Sequence, residues 1–141
     1  MLSTLNSNDE LANDELITKP QETNKKYDLE ERTARFGEVI IAFCRKIKET
    51  YITKPLVGQL IRSGTSIGAN YCEANDALSK NDFVHKLGIA RRESKETTYW
   101  LRMICLACPE TKDETIHYRD EAHQLNLIFS SIINKIRGKN R

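Results

Sequence analysis

Cationic and aromatic side chains are interleaved between residues 91 and 102. Attraction of cations to phosphates, combined with stacking of bases on aromatic rings, is the physical basis of nucleic-acid binding without sequence preference. Residues 135–141 add four cations and no acid. We therefore take eight cations as candidate nucleic-acid-binding residues: Arg91, Arg92, Lys95, Arg102, Lys135, Arg137, Lys139 and Arg141. Two aromatic residues, Tyr99 and Trp100, lie between Lys95 and Arg102.

Two carboxylates, Glu93 and Glu96, lie within the first of these stretches and dilute its positive charge. A pair of neighbouring carboxylates can act as a general acid and a general base. Because cations surround this pair, we expect ion pairing with Arg62 or Arg102 rather than catalysis.

Metal-ligating residues occur at weakly informative spacings. A di-iron site in a helical bundle needs two Glu-x-x-His pairs and two further Glu residues, and the nearest match is a single Asp120-x-x-His123. Cys105 and Cys108 form one C-x-x-C pair without a second pair, so we interpret them as packing residues. No Gly-rich phosphate loop is evident. The sequence predicts no catalytic residue, no cofactor and no metal, and a protein that is not an enzyme.

Composition is typical of a soluble, helix-rich single domain. The 141 residues are 39% hydrophobic and 30% charged, with six Gly and three Pro, which disfavours a turn-rich sandwich or barrel. The longest apolar runs, 39–44 and 103–108, have six residues each, whereas a membrane span needs about 20. The N-terminus lacks the basic and apolar regions of a secretory signal. We expect a cytoplasmic protein with no membrane contact.

Charge is distributed unevenly along the chain. Residues 1–24 hold five acids and one base, a net charge of −4, whereas the remainder holds 21 bases and 15 acids, a net charge of +6. A basic body favours an anionic partner. The polar residues 1–26 are interpreted as a flexible acidic arm, which could partly mask the basic surface.

Long helices must position these residues, and the second is the most informative. Gly64 and Gly68 each cost roughly 1 kcal/mol of helix stability relative to Ala in a helix interior. Two such residues indicate that a neighbouring helix approaches closely at this point. We expect the third helix to be that neighbour, because the residues in its middle are also small. Alternating three and four spacing, typical of helices packed lengthwise, relates Val57, Leu60, Gly64, Ile67, Tyr71, Ala74 and Leu78.

Polar and aromatic residues flank these core-facing positions. The flank of the second helix indicates either a polar ladder at a helix or subunit contact, or a solvent-facing surface; it comprises Gln59, Arg62, Ser66, Asn70 and Glu73. Tyr99 and Trp100 lie on the shoulder of the third helix, where a subunit contact and the edge of the core are both open interpretations.

Periodicity predicts four helices, spanning about 27–48, 54–78, 81–107 and 113–137. Asp28 and Thr53 are the expected N-caps of the first two, either Ser79 or Asn81 caps the third, and Gly138 stops the fourth. Short connections then predict an all-α, antiparallel up-down-up-down four-helix bundle. The expected organisation is a flexible arm (1–26), the bundle (27–138) and a basic tail (139–141).

Three segments in order resemble a known bacterial family: IRSGTSIGANYCEAN (61–75), SKNDFVHKLGIA (79–90) and ESKETTYWLR (93–102). The chain resembles the 23S rRNA intervening-sequence proteins over about residues 27–137. The resemblance implies a four-helix bundle that assembles as a ring-shaped homo-oligomer, typically a pentamer, without agreed catalytic residues. It also implies that fold and assembly depend on Arg62, Gly64, Ser66, Gly68, Asn70, Glu73, Tyr99 and Trp100.

A similar group comprises the accessory variability proteins of diversity-generating retroelements, which are basic barrels that bind a reverse transcriptase and nucleic acid. This chain differs from them in its modest net charge and acidic arm. We therefore carry two hypotheses. The first is a non-enzymatic, oligomeric bundle that binds RNA, DNA or a nucleoprotein through basic surface. The alternative is a protein-interaction or structural module, such as a reverse-transcriptase accessory protein, without direct nucleic-acid binding.

Overall fold

The computed structural model describes residues 25–138, and helices account for most of them. The helices are α1 (Lys25–Arg45), α2 (Thr53–Asn75), α3 (Lys80–Ala107) and α4 (Lys112–Ile136), with a 3-10 turn at Pro109–Thr111 between the last two. No strand occurs in the described range. The predicted all-α four-helix bundle is confirmed. The predicted arm, apart from its last two residues, and the basic tail lie outside the described residues.

Consecutive helices pack antiparallel along their lengths. Contacts between α1 and α4 are made mainly by long side chains, including the Arg32–Glu121 ion pair at 2.8 Å. Phe43 and Tyr118 also meet across this contact, with ring centroids 5.4 Å apart. Since α1 thus borders α2 and α4, α1 and α3 lie on a diagonal of the bundle and run parallel to each other.

Buried residues recur at three-and-four spacing in every helix, and in α2 the predicted positions from Leu60 to Ala74 are among them. Fully buried apolar side chains come from each helix, among them Ile40 of α1, Ile67 of α2, Leu87 of α3 and Phe129 of α4. The side chains in the middle of the core are small and polar, since Ser63, Ser94 and Thr97 are also fully buried. The Ser63 and Thr97 hydroxyl oxygens are 3.0 Å apart and share a hydrogen bond between α2 and α3. Small side chains there let the two helices approach closely.

Helix ends agree with the predicted caps at two positions. The Ser79 hydroxyl accepts a hydrogen bond from the Asp82 amide at 3.0 Å, which satisfies one free N–H of the first turn of α3. Gly138 follows α4 with φ of 71°, a left-handed conformation that glycine adopts without steric cost.

The predicted caps of α1 and α2 are wrong. Helix α1 begins at Lys25, so Asp28 lies inside its first turn. Thr53 is the first residue of α2 rather than its cap, and its amide donates to the Thr50 hydroxyl at 3.0 Å. The Thr53 hydroxyl instead donates to the Lys48 carbonyl at 2.7 Å. The threonine three residues upstream therefore performs the capping role.

The predicted end of α2 is also wrong. The helix stops at Asn75, and Asp76 follows in a non-helical conformation, so the spacing that includes Leu78 no longer corresponds to one face. Leu78 is fully exposed, at 101%. An apolar residue at the correct spacing is not buried once the backbone has left the helix.

The close approach indicated by Gly64 and Gly68 involves α1 and not α3. A Cβ on Gly64 would lie 3.0 Å from Ile40 Cγ2, and a Cβ on Gly68 would lie 3.3 Å from the Thr33 carbonyl carbon. Gly37 of α1 faces the same contact, where its Cβ would lie 3.6 Å from the Thr65 Cα. Three glycines therefore line the α1–α2 contact, and the α2–α3 contact depends on serine and threonine instead.

Candidate nucleic-acid interface

The polar flank of α2 lies against α3. Arg62 forms ion pairs with Glu93, at 3.7 Å, and with Glu96 of α3. Towards the other end of the contact, Lys86 of α3 donates to Glu73 at 2.9 Å. Two residues between them bond within α2: the Ser66 hydroxyl donates to the Arg62 carbonyl, and the Asn70 amide donates to the Ser66 carbonyl. The stripe therefore lies along a helix contact within one chain.

Glu93 is largely buried by this arrangement, with 13% of its side chain exposed. Burial raises the pKa of the Glu93 carboxyl, and the nearby Glu96 carboxylate raises it further, while Arg62 and Arg92 oppose the shift. One carboxylate oxygen of Glu93 has no hydrogen-bond partner in the described part of the chain. Both acids of the 91–102 stretch thus point towards Arg62.

One row of α3 positions that face away from the core contains no acid. Its positions alternate by three and four residues, and all are exposed apart from Gly88, which is half-buried. We call this surface the outer α3 face, and it comprises His85, Gly88, Arg92, Lys95, Tyr99, Arg102 and Leu106. Because Arg62 of α2 pairs with both Glu93 and Glu96, these acids dilute the positive charge of the outer α3 face less than the linear sequence suggests, although the Glu96 side chain is 37% exposed beside Arg92.

Three cations and one aromatic ring are available on the outer α3 face. Arg92, Lys95 and Arg102 are exposed, and none forms an ion pair with another residue of the described range. Tyr99 is 53% exposed and lies between Lys95 and Arg102 in the helical spacing. An exposed ring flanked by unpaired cations has the groups needed for base stacking and phosphate attraction.

The remaining candidate cations lie elsewhere. Arg91 is half-buried on the α4 side, where its carbonyl accepts a hydrogen bond from the Asn126 amide at 3.0 Å. Lys135 and Arg137 are exposed at the end of α4, whereas Lys139 and Arg141 lie outside the described residues. Arg137 belongs to an open pocket of about 380 Å³ that is also lined by Lys80, Asn81, Val84, His85 and Ile136.

Tyr99 and Trp100 have different surroundings although they are adjacent. Their rings meet edge to face with centroids 5.0 Å apart. Trp100 is half-buried and packs against the core, whereas Tyr99 is exposed. The Trp100 indole N–H is buried without a hydrogen-bond partner in the described range. Of the two rings, Tyr99 is the one that a nucleobase could reach.

Sequence reasoning missed an apolar surface at the end of the bundle where α1 and α3 finish. Tyr51 is 89% exposed and Leu106 is 79% exposed, and Ile52 and Ile116 are about half exposed. We call these four residues the apolar end. Leu106 could have been found from its position opposite the core-facing residues of α3, but Tyr51 and Ile52 precede α2 and follow no helical spacing.

The described range holds no metal cluster, and one of its thiols is strongly shielded. No cluster of His, Cys, Asp and Glu side chains there could hold a metal ion. Cys44 is buried, and burial raises the pKa of its thiol to about 11, which disfavours the reactive thiolate. None of the described helices has the length and apolar character required to cross a bilayer.

Comparison with known proteins is consistent with the helical architecture. Residues 25–131 match the family model described as 23S rRNA-intervening sequence protein. The chain is also similar to the crystal structure, at 1.70 Å resolution, of a protein with unknown function from the S23 ribosomal protein family of Bacteroides thetaiotaomicron. The two are 32% identical with a TM-score of 0.66, over 74% of this chain and 96% of that chain. No match is found among curated proteins.

Proposed function

Since this chain belongs to the 23S rRNA-intervening sequence protein family, we propose that it is a non-enzymatic cytoplasmic protein that binds RNA through the outer α3 face. The observation that carries the proposal is the separation of charge on α3. Glu93 and Glu96 pair with Arg62 of α2, while Arg92, Lys95 and Arg102 are exposed around Tyr99 without an ion pair in the described range.

The expected mode of binding is led by phosphates. Three exposed cations attract the backbone of a nucleic acid, and Tyr99 offers a surface on which one base stacks. No hydrogen bond within the described range fixes Arg92, Lys95 or Arg102 in one orientation, so we expect these cations to contact phosphates with little sequence preference. The C-terminal cations Lys135 and Arg137, together with Lys139 and Arg141 outside the described range, are expected to add phosphate contacts in this proposal.

The proposal is tested by binding of a labelled structured RNA to nuclease-treated protein across a salt series. Replacing Arg92, Lys95 and Arg102 together by Gln should weaken binding at low salt and reduce the slope of log affinity against log salt by roughly 2–3. Tyr99→Ala should cost about 1–3 kcal/mol of binding free energy. The matched control replaces three exposed lysines elsewhere by Gln: Lys48, Lys54 and Lys112.

A control triple variant that weakens binding equally would place the RNA elsewhere and overturn the assignment to α3. Absence of binding by the unmodified protein at low salt would overturn the nucleic-acid proposal altogether. A parallel neutralisation of Lys135, Arg137, Lys139 and Arg141 measures what the C-terminal cations contribute.

The second candidate is a protein-interaction module, and the apolar end favours it. Exposed Tyr51 and Leu106 offer aromatic and aliphatic groups of the kind that form the centre of protein interfaces. The occupant is then another protein, such as a reverse transcriptase, or further copies of this chain in a ring-shaped homo-oligomer, for which a pentamer is the expected size. Sedimentation of the purified 16.2 kDa chain distinguishes a pentamer from a monomer.

A further inference from the structure

We propose that the acidic N-terminal segment, residues 1–24, binds the outer α3 face of its own chain and competes there with polyanions. The effect on RNA binding rests on the proposed function, because the segment would regulate binding at the same surface. Its physical basis is charge complementarity between a segment of net charge −4 and the exposed cations of α3.

The two surfaces also match in the order of their side chains. The acids of the segment are concentrated at Asp9, Glu10, Asp14 and Glu15, with apolar residues beside them at Leu11, Leu16 and Ile17. On α3 the cations alternate with exposed Tyr99 and Leu106. Ion pairing alone on an exposed face is worth little, so burial of leucine and isoleucine against these two side chains is what would make the contact specific.

The chain is long enough to reach. Because α1 and α3 run parallel, Arg92 lies roughly 15 Å and Arg102 roughly 30 Å along the bundle from the start of α1, at 1.5 Å per residue. Passing around the bundle to the diagonal helix adds about 25 Å, given interaxial distances of 8–10 Å. An extended chain spans up to about 35 Å from Lys25 to Glu15, and up to about 55 Å from Lys25 to Asp9.

Zero-length cross-linking of carboxylates to lysines tests the contact in the full chain without any nucleic acid. Lys95 is the lysine of the outer α3 face, and exposed Lys80 and Lys135, at the end of the bundle where α1 begins, serve as internal controls within easier reach of the segment. We expect mass spectrometry of the monomeric band to find residues 9–15 joined to Lys95 in preference to the controls. The preference should disappear at high salt, because screening removes the attraction.

Cross-links that reach Lys80 and Lys135 as often as Lys95 would overturn the proposal. A mixture of isotopically labelled and unlabelled protein distinguishes contacts within one chain from contacts between chains. Cross-links confined to pairs of different chains would likewise contradict the intrachain contact proposed here.

RNA binding provides the second, separate readout. If the segment covers the face for about 70–90% of the time, the full chain binds RNA about 3- to 10-fold more weakly than a chain whose face is free. Neutralising Asp9, Glu10, Asp14 and Glu15 to Asn or Gln should therefore raise affinity by that factor. The matched control neutralises four exposed acids of the bundle: Glu31, Glu49, Glu110 and Asp120.

An equal gain in both variants would show that only net charge matters and would contradict competition at this face. Absence of RNA binding in every variant would overturn the proposed function, while the cross-links to Lys95 would still decide whether the segment binds α3. The two proposals therefore fail in different experiments.

Discussion

Glu93 holds one carboxylate oxygen near Arg62 and the other in a buried position without a hydrogen-bond partner in the described range. Burial favours the neutral acid, and burial together with the Glu96 carboxylate outweighs the neighbouring cations, so the pKa of Glu93 is raised. The folded protein therefore binds this proton more tightly than the unfolded chain does. Stability gained from Glu93 is present at low pH and is lost as pH rises through the raised pKa.

Replacing Glu93 by Gln removes this titration while keeping the shape of the side chain. We expect the free energy of unfolding of Glu93→Gln, relative to the unmodified protein, to increase as pH is raised from about 4 to about 7. Urea denaturation at several pH values in this range measures the difference. The exposed Glu31→Gln variant is the control. A difference for Glu93→Gln that is constant or decreases with pH would contradict the burial argument.

The α1–α2 contact shows how single glycines determine the packing of two helices. Ile40 and Thr33 of α1 occupy the space that side chains at positions 64 and 68 of α2 would need. Gly58 lies in the same helix, but nothing within 4 Å would meet its Cβ. Glycine lowers helix stability by a similar amount at positions 58 and 64. Any difference in protein stability between substitutions at these two positions is therefore due to packing against α1.

Gly64→Leu should destabilise the protein by several kcal/mol, because inserted bulk in a packed core typically costs about 1–3 kcal/mol and sometimes more. Gly58→Leu should be neutral or stabilise by roughly 0.5–1 kcal/mol, since leucine favours the helix and meets no neighbour. Thermal and urea unfolding of both variants measure the contrast. Equal stability of the two variants would refute close packing at Gly64.

Sequence periodicity predicted the helices because a core stripe leaves a strong pattern over 20 or more residues. It failed where the pattern carries no information on the backbone, as at Leu78, which has the spacing of the core but follows the end of α2. It also failed to identify which neighbour each glycine meets. The facing residues of α1, Ile40 and Thr33, lie far away in sequence, and only the fold brings them to α2.

For the candidate interface, the sequence identified the cations but did not show which of them are exposed and free of ion pairs within the described range. Glu93 and Glu96 alternate with Arg92 and Lys95 along the chain, which reads as mixed charge. A helix separates residues one apart by about 100°, which places both acids within reach of Arg62 of α2 and leaves Arg92 and Lys95 exposed without an ion pair in the described range. The choice of Arg62 over Arg102 as the partner of both acids frees Arg102, and this depends on the register of α2 against α3.

For the molecule as a whole, the α1–α4 contact is the least closely packed boundary between adjacent helices. The Arg32 guanidinium bonds both Glu121 oxygens at 2.8 Å, and about a quarter of each side chain is exposed. Lys46, which directly follows α1, pairs with Glu114 of α4 at 2.5 Å, but both side chains are more exposed. Two-point hydrogen bonding and partial burial make the arginine pair the stronger of the two.

Arg32→Gln should therefore loosen α1 from α4. We expect a loss of about 1 kcal/mol in stability and faster native-state hydrogen exchange in α1 than in α3, because local opening is governed by the weakest boundary. Lys46→Gln serves as the comparison and should change exchange less, since exposed pairs are screened by water. Uniform acceleration across all four helices would instead indicate global destabilisation and contradict a local role.

The even number of antiparallel helices has a consequence for the connectivity of the chain. Lys25 and Gly138 bound the described residues at one end of the bundle, and the connection 46–52 is at the other end. A linker between residues 138 and 25, with new termini opened in 46–52, would produce a circular permutant in the order α2, α3, α4, α1. Every helix would keep its neighbours, so the order of the helices along the chain is separable from their arrangement in space.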